Sequence, residues 1–404
     1  MLLVFKHPKF RLLWLNSVSS DAGTIILIMS QGLLALELTG SEFWLGAVAG
    51  VNGLAILAFS LIAGVMADRI DRRFLVALAG ALDVAVAATL AALLFFGVEA
   101  LWHLLLGGVV NGIAISTRMP ARNALTLDLV GRENLLKATA ANFAAIQIVA
   151  IVAPLLTGLV VTAFDLSWAY VMVAVSAGMG LISLLGLRGV PKPTGRAGPP
   201  LKDLMEGAKY VFRAPTVRTL IMLAIVAEVF AWSHETMLPV MAEVELGVGA
   251  SGYGYILSAA GAGALVTTIA ISSMKEVGRK GIFALVGLSM FGGFLILFSL
   301  SPWLPLSLIL ITLAYSGAMA YETMLGALLQ MVVRDDMRGR VLSFQTATWG
   351  LTGASGFHTG AIAAALGAPV AIALGGAVVL VNALRVAPQF LRLDERAADQ
   401  LDDD

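Results

Sequence analysis

Long apolar runs separated by short polar links make up almost the whole chain. A helix that crosses a membrane needs about 20 predominantly apolar residues. Twelve stretches reach that length, at residues 12–37, 45–66, 74–97, 101–123, 138–163, 167–187, 219–240, 250–274, 282–300, 304–331, 342–366 and 369–391. The pattern therefore predicts an all-α membrane protein with twelve transmembrane helices.

The polar links fall into two classes that alternate along the chain. All 26 lysines and arginines lie in residues 1–11, 67–73, 118–137, 188–218, 275–281, 332–341 and the segment from Arg385 onward. The links near 38–44, 98–100, 164–166, 241–249, 301–303 and 367–368 contain none. Because short loops rich in lysine and arginine stay in the cytoplasm, we expect a multi-pass protein of the plasma (inner) membrane with both termini cytoplasmic.

The longest basic link divides the twelve predicted spans into two sets of six. Prolines and glycines break its first part, and residues 201–212 show the two-sided pattern of an amphipathic surface helix. The predicted organisation is a six-helix bundle at 1–187, a cytoplasmic linker at 188–218, a second six-helix bundle at 219–391 and an acidic cytoplasmic tail at 392–404. A weak echo between residues 127–134 and 329–336, at equivalent places in the two halves, favours the parallel repeats found in some transporters.

The composition excludes several classes of function. Of 404 residues, 59% are hydrophobic and 13% are charged, whereas a soluble domain is about half apolar and about a quarter charged. A net charge of zero argues against a nucleic-acid partner, and the absence of cysteine excludes disulfides and thiolate metal sites. The sequence contains no Gly-x-x-x-x-Gly-Lys-Ser/Thr loop and no His-Glu-x-x-His helix. We therefore expect neither an ATP-driven pump nor an enzyme.

One polar link stands out for its density of charge. It follows the second predicted span and reads Gly64-Val-Met-Ala-Asp68-Arg69-Ile-Asp71-Arg72-Arg73. Taken by itself, such a segment can do no more than fix the orientation of the chain by its positive charge. The spacing of its glycine, aspartates and arginines nevertheless indicates more than orientation.

This link resembles the loop between helices two and three of the major facilitator superfamily, Gly-x-x-x-Asp-Arg-x-x-Arg-Arg. Five residues match that loop: Gly64, Asp68, Arg69, Arg72 and Arg73. Residues 120–125, 238–239 with 252–254, and 338–343 are similar to the branch that holds siderophore exporters and macrolide-type efflux pumps. The resemblance covers essentially the whole chain. It implies two six-helix bundles around a cavity near the membrane midplane and secondary transport by alternating access.

The resemblance also implies an inner gate at this loop. Asp68 would face the start of the eleventh span near Ser343 when the inner side is closed, and the segment Arg338, Gly339 and Arg340 leads into that span. A carboxylate at a helix N-terminus gains about 0.3–1 kcal/mol, and up to about 2 kcal/mol when partly buried, which suits a contact that breaks in every cycle. Arg72 and Arg73 would pair with acids such as Asp128 or Asp335.

Five acidic residues lie well inside predicted spans, away from the span ends, where an ionisable side chain costs roughly 2.5–3.5 kcal/mol on insertion scales. They are Asp21, Asp83, Glu228, Glu235 and Glu322. Spacing places Glu228, Trp232 and Glu235 on one helix face. We expect Asp21, Glu228, Trp232, Glu235 and Glu322 to line the cavity and to carry protons or bind substrate, with helix packing as the plainer alternative. Asp83 is expected to form a structural pair.

Three polar residues follow one side of the fourth predicted span: Asn111, Arg118 and Arg122. Two interpretations are open for them. They either contribute to the cavity or inner gate, or the arginines anchor the helix end by extending towards the membrane surface. For His234 and His358 a structural role is favoured. In this span Gly108 and Asn111-Gly112 replace the arginine and the Gln-Gly pair of many proton-driven drug pumps.

The residues and the resemblance together predict proton-coupled efflux of an amphipathic organic molecule, a drug or a siderophore. We expect a monomer in a lipid bilayer, without cofactor, metal or nucleic acid, driven by a proton gradient. A flippase or uniporter for lipid or lysolipid, and a membrane scaffold or sensor without transport, remain alternatives. A scaffold would tolerate neutralisation of the cavity acids.

Overall fold

A computed structural model describes residues 2–187, 189–190, 200–274 and 278–402, with side chains outside the description at 2–3, 61, 200–204, 335–336, 342–343, 346–347 and 391–402. In these ranges every regular element is helical. After a short 3-10 turn, the helices are α1 Pro8–Thr39, α2 Glu42–Arg69, α3 Arg72–Phe96, α4 101–130, α5 132–163, α6 Leu166–Leu185, α7 Pro200–Arg213, α8 Pro215–Glu245, α9 Gly249–Ser273, α10 Lys280–Ser299, α11 Leu304–Val332, α12 Asp335–Ala354 with Gly356–Leu366, and α13 Ala368–Asp402.

Ten of the described helices are long and apolar enough to cross a membrane. One of them, Leu101–Ala163, is 63 residues long and divides into α4 and α5 at Gly131, whose φ of 71° and ψ of 170° suit only glycine. Counting its two parts and the interrupted helix α12, the arrangement fits twelve spans. The predicted all-α architecture is therefore confirmed.

The boundaries of the predicted spans need correction at the polar links. The link expected at 118–137 is almost entirely helical, because α4 and α5 continue past the apolar runs as polar helices that turn at a single glycine. Helix α13 likewise runs on to Asp402, through the segment expected to be a tail. Apolar length marks where the membrane ends, but a helix continues until a residue breaks it.

Helices α1–α6 and α8–α13 form two bundles. In the first, α1 packs on α6, α2 on α4, and α3 on both α4 and α6; in the second, α10 packs on α11 and α13, and α9 on α11. The bundles meet where α5 crosses α9 and where α2 crosses α12. We call the end that carries the lysine- and arginine-rich links the basic end, and the opposite one the acidic end.

Glycines on facing helices bring the two bundles together towards the acidic end. Gly46 of α2 packs directly on the backbone of Gly356 and Gly360 in α12, and a Cβ atom on Gly254 of α9 would lie 2.5 Å from the carbonyl oxygen of Pro154 in α5. Small residues permit such backbone contact between membrane helices. At the basic end, a Cβ atom on Gly64 would have no neighbour within 4 Å. The structure is thus closed at the acidic end.

Helix α7 is tied to the second bundle. Its Glu206 forms an ion pair with Arg340 of α12 at 3.1 Å, and its Val211 is 3% exposed in the hydrophobic core. The guanidinium carbon of Arg334 lies 5.7 Å from the centre of the Tyr210 ring. The segment between the bundles therefore ends in a helix that packs beside the basic end of α12.

Candidate functional site

Helix α8 loses regular α-helical geometry in the middle of the membrane span. It is α-helical to Val226, then forms a π-turn at Ala227–Ala231, a 3-10 turn at Trp232–Met237 and a second π-turn at Met241–Glu245. Pro239 accounts for part of this, because its ring clashes with the carbonyl group of residue 235 in a regular helix. Such π segments often occur at functional sites, and this one carries three of the predicted site residues.

Three carboxyl groups come together around this irregular segment. Glu228 accepts a hydrogen bond from the Thr352 hydroxyl of α12, and Glu235 accepts one from the Tyr315 hydroxyl of α11 at 2.6 Å. Glu322 of α11 is near enough to interact electrostatically with both. Regular helical spacing predicts Glu228 and Glu235 on one face, whereas in the structure they hydrogen-bond to different neighbouring helices.

Aromatic rings enclose the three acids. The Trp232 ring lies 5.0 Å from that of Phe291 and 5.4 Å from that of Tyr315, measured between centroids, and its indole stands beside the carboxyl group of Glu322. Two buried polar atoms next to this wall, His234 Nε2 and the Tyr321 hydroxyl oxygen, have no hydrogen-bond partner among the described residues. Buried polar atoms are seldom left unbonded, so this site has hydrogen-bonding capacity for a ligand.

The first bundle contains a different kind of polar centre. Asp83 of α3 forms a buried ion pair with Arg118 of α4, which also donates to the Thr24 hydroxyl at 2.8 Å. Asn111 donates to Asp83 at 3.1 Å and accepts from Asn52 at 3.0 Å. The predicted pairing of Asp83 thus has its partner in Arg118. Every charge in this network is compensated.

Asp21 and Arg122 form a second ion pair in the same bundle, at 2.7 Å, with side chains 18% and 11% exposed. Asp21 is therefore apart from the three glutamates, although the sequence analysis grouped all four. The suggestion that Arg118 and Arg122 reach out to the membrane surface is wrong: the two residues are 3% and 9% exposed. Asp83 of α3 holds Arg118 inside the bundle, and Asp21 of α1 holds Arg122 there.

At the basic end, the loop at 64–73 is held by its own bundle. Arg72 pairs with Asp128 and also donates to the carbonyl oxygen of Ala67 at 3.2 Å. Arg73 donates to the carbonyl oxygen of Leu184 at 3.0 Å. Between the alternatives for Arg72, the described partner is Asp128; the side chain of Asp335 lies outside the described residues.

The remaining gate residues lie at the surface of the basic end. Asp68 and Arg69 are exposed, and neither side chain makes a hydrogen bond or ion pair with the described residues. The expected partner region of Asp68 includes Ser343, whose side chain is outside the description. Gly339 is also exposed, and a Cβ atom added there would have no neighbour within 4 Å.

The two arginines that flank Gly339 are less exposed than the glycine itself. Arg340 pairs with Glu206 of α7, and Arg338 is partly buried. The start of α12 is therefore held by α7 in this conformation, while the loop at 64–73 is held by the first bundle.

A family model described as transmembrane secretion effector matches residues 2–403. The chain belongs to this family of the major facilitator superfamily. It is 28% identical to an enterobactin exporter, EntS, of Escherichia coli O81 (strain ED1a) in an alignment of 361 residues that covers 85% of this chain and 82% of the relative. The EntS protein of Shigella boydii serotype 18 (strain CDC 3083-94 / BS512) shows the same identity and coverage.

Solved structures share the fold. A variant of the peptide transporter POT superposes with a TM-score of 0.76 at 13% identity over 95% of both chains. A bacterial homologue of the human lysosomal transporter Spinster gives 0.70 at 16% identity over 96% of both chains. The family resemblance and the fold predicted from the sequence are confirmed, and the chain is a multi-pass membrane transporter.

The partners of Asp83 go beyond what the sequence pattern predicts. The pattern predicts a structural pair for Asp83, and the structure adds that its partners are Arg118 and Asn111. A signal was available: both ionisable residues occur in predicted spans that follow one another in sequence, and charges inside a membrane usually compensate each other.

Proposed function

We propose that this transporter exports an amphipathic organic molecule of the siderophore or drug class in exchange for protons. The observation that carries the proposal is a difference between the two bundles. Asp21 and Asp83 of the first are each paired with an arginine. The three glutamates of the second have no ion-pair partner among the described residues.

That difference assigns different chemistry to the two sets of acids. An acid that is salt-bridged to arginine keeps its charge, and its removal leaves the arginine uncompensated. An acid in apolar surroundings without a cation is far less costly to hold as a neutral group than as an anion. Glu228, Glu235 and Glu322 are therefore the groups suited to accept a proton on one side and release it on the other.

Alternating access results when the two bundles close at one end of the molecule while they are open at the other. The glycine contacts of α2 with α12 and of α5 with α9 keep the acidic end shut. We take the basic end as cytoplasmic, because short lysine- and arginine-rich links stay on that side. When the basic end shuts in its turn, Asp68 meets the N-terminal region of α12, while Arg72 and Asp128 hold the loop in place.

The substrate class rests on the relatives and on the site. The similar proteins are enterobactin exporters. Here the acids stand beside Trp232, Phe291 and Tyr315, and aromatic rings offer flat apolar contact together with polar edges. A wall of this kind suits aromatic, partly polar molecules such as siderophores and amphipathic drugs.

Uptake by proteoliposomes tests the proposal. With an acidic lumen, we expect accumulation of enterobactin or of a fluorescent lipophilic cation, and collapse of that accumulation on addition of a protonophore. Glu235→Gln keeps the size of the side chain but cannot exchange a proton, so it should lower gradient-driven uptake at least tenfold.

Glu245→Gln is the matched control, because Glu245 lies on the same helix but is exposed at the acidic end; it should behave as the wild type. Uptake that does not depend on the pH gradient and is unchanged when all three glutamates are replaced would refute proton coupling at this site. Transbilayer movement of labelled lipid under those conditions would favour a flippase instead.

A further inference from the structure

A second polar site lies on the surface of the second bundle, and none of the three glutamates lines it. A cavity of about 300 Å³ opens between α8 and α13 near the basic end. That volume is at the lower end of the range that holds small organic ligands. Two arginines, Arg218 of α8 and Arg385 of α13, line it.

The lining is rich in donors and lacks acids. Neither arginine makes an ion pair with a described residue, and no aspartate or glutamate of the described chain lines the cavity. Asn382 and Gln389 add side-chain amides. Gln389 accepts from the Thr219 hydroxyl through Oε1 at 2.9 Å, which leaves its Nε2 group as a donor. Two cations and two amides on one cavity form a site for a phosphate-like anion.

The surroundings identify the source of the anion. The cavity wall continues into apolar side chains, among them Met222 and Val386. Its neighbours on the bundle surface are exposed aliphatic residues: Met222 is 48%, Val381 65% and Leu384 66% exposed. In a membrane protein such a surface faces acyl chains. A soluble phosphate compound would gain nothing from this apolar surface. A phospholipid, by contrast, places its headgroup in the cavity and its acyl chains on the surface.

We propose that this groove binds the headgroup of an anionic phospholipid, with the phosphate between Arg218 and Arg385 and the acyl chains along the apolar surface of α8 and α13. Basic pockets between membrane helices at the cytoplasmic side are suited to such headgroups. The site touches α8, the helix that carries Glu228 and Glu235, but it does not depend on proton coupling there.

Native mass spectrometry of the full-length protein in detergent tests the site. The protein is titrated with phosphatidylglycerol, with phosphatidylcholine of the same chains, and with glycerol 3-phosphate. We expect phosphatidylglycerol to bind at least tenfold more tightly than phosphatidylcholine, and glycerol 3-phosphate not to displace it. An arginine near the membrane surface contributes about fivefold to the binding of an anionic lipid.

The double variant Arg218→Gln/Arg385→Gln should bring the preference for phosphatidylglycerol to within about twofold, while Arg218→Lys/Arg385→Lys should keep most of it. The control Arg132→Gln/Arg279→Gln removes two exposed arginines elsewhere at the basic end and should change nothing. An equal loss in the control pair, or no preference in the wild type, would overturn the proposal. Displacement by glycerol 3-phosphate would assign the groove to a soluble anion instead and equally overturn it.

Discussion

Arg118→Met is expected to lower the free energy of unfolding by about 3–5 kcal/mol. The substitution leaves Asp83 charged in the interior of the first bundle, where its only other described hydrogen bond comes from Asn111. It also removes the donor to Thr24. Unfolding in a denaturing detergent, followed by tryptophan fluorescence, measures the change.

A paired replacement distinguishes lost charge compensation from lost packing. Asp83→Leu/Arg118→Met removes both charges and keeps apolar volume, so it should recover most of the stability, because apolar groups often replace a buried ion pair at little cost. Arg132→Met, at an exposed position, is the control and should change stability by less than about 0.5 kcal/mol. A double variant that is no more stable than Arg118→Met would show that the pair is not the stabilising unit.

Gly46→Leu is expected to prevent closure at the acidic end and to reduce transport at least a hundredfold. Gly46 packs on the backbone of Gly356 and Gly360, which cannot move aside without separating α2 from α12. Spin labels at Phe96→Cys and Leu300→Cys measure the separation of the bundles, since both positions are exposed, at 81% and 71%, near the acidic end. The chain has no cysteine of its own, so only these two sites carry labels.

Two other glycines give this experiment its controls. A Cβ atom added at Gly293 meets no atom within 4 Å, so Gly293→Leu should leave both the label distance and transport unchanged. A Cβ atom at Gly64 also meets no atom within 4 Å in the present conformation, so in Gly64→Leu the acidic end should stay closed while closure at the basic end is blocked. A Gly46→Leu protein with the wild-type distance and full transport would contradict the assignment of these contacts to the closed end.

Apolar length and the placement of basic residues were enough to predict an all-α membrane protein with twelve spans, because bilayer thickness and the cost of moving lysine or arginine across it act on sequence directly. The ends of helices were less predictable. Residues 118–137 contain Arg122 and Asp128 and read as a link, but the helix continues through Pro120 and is broken only at Gly131. The apolar pattern reports burial in lipid and carries no information about a helix that continues in water.

The candidate site was predicted in part, for a similar reason. Unusual residues are visible in sequence, and Glu228, Glu235 and Glu322 do come together. Which acid has a cationic partner depends on tertiary packing, and so the pairing of Asp21 with Arg122 could not be read from spacing. The π and 3-10 turns of α8 could not be predicted from the sequence either. The 3.6-residue period that places Glu228 and Glu235 on one face assumes a regular helix.

Proton movement driven by substrate is the most direct test of the account. Proteoliposomes start with equal pH on both sides and a pH-sensitive dye in the lumen, and enterobactin or a lipophilic cation is then added outside. We predict that the wild type and Glu245→Gln export protons as substrate enters, so that lumenal pH rises, and that Glu235→Gln gives no such change. Substrate entry with constant lumenal pH in the wild type would contradict proton exchange.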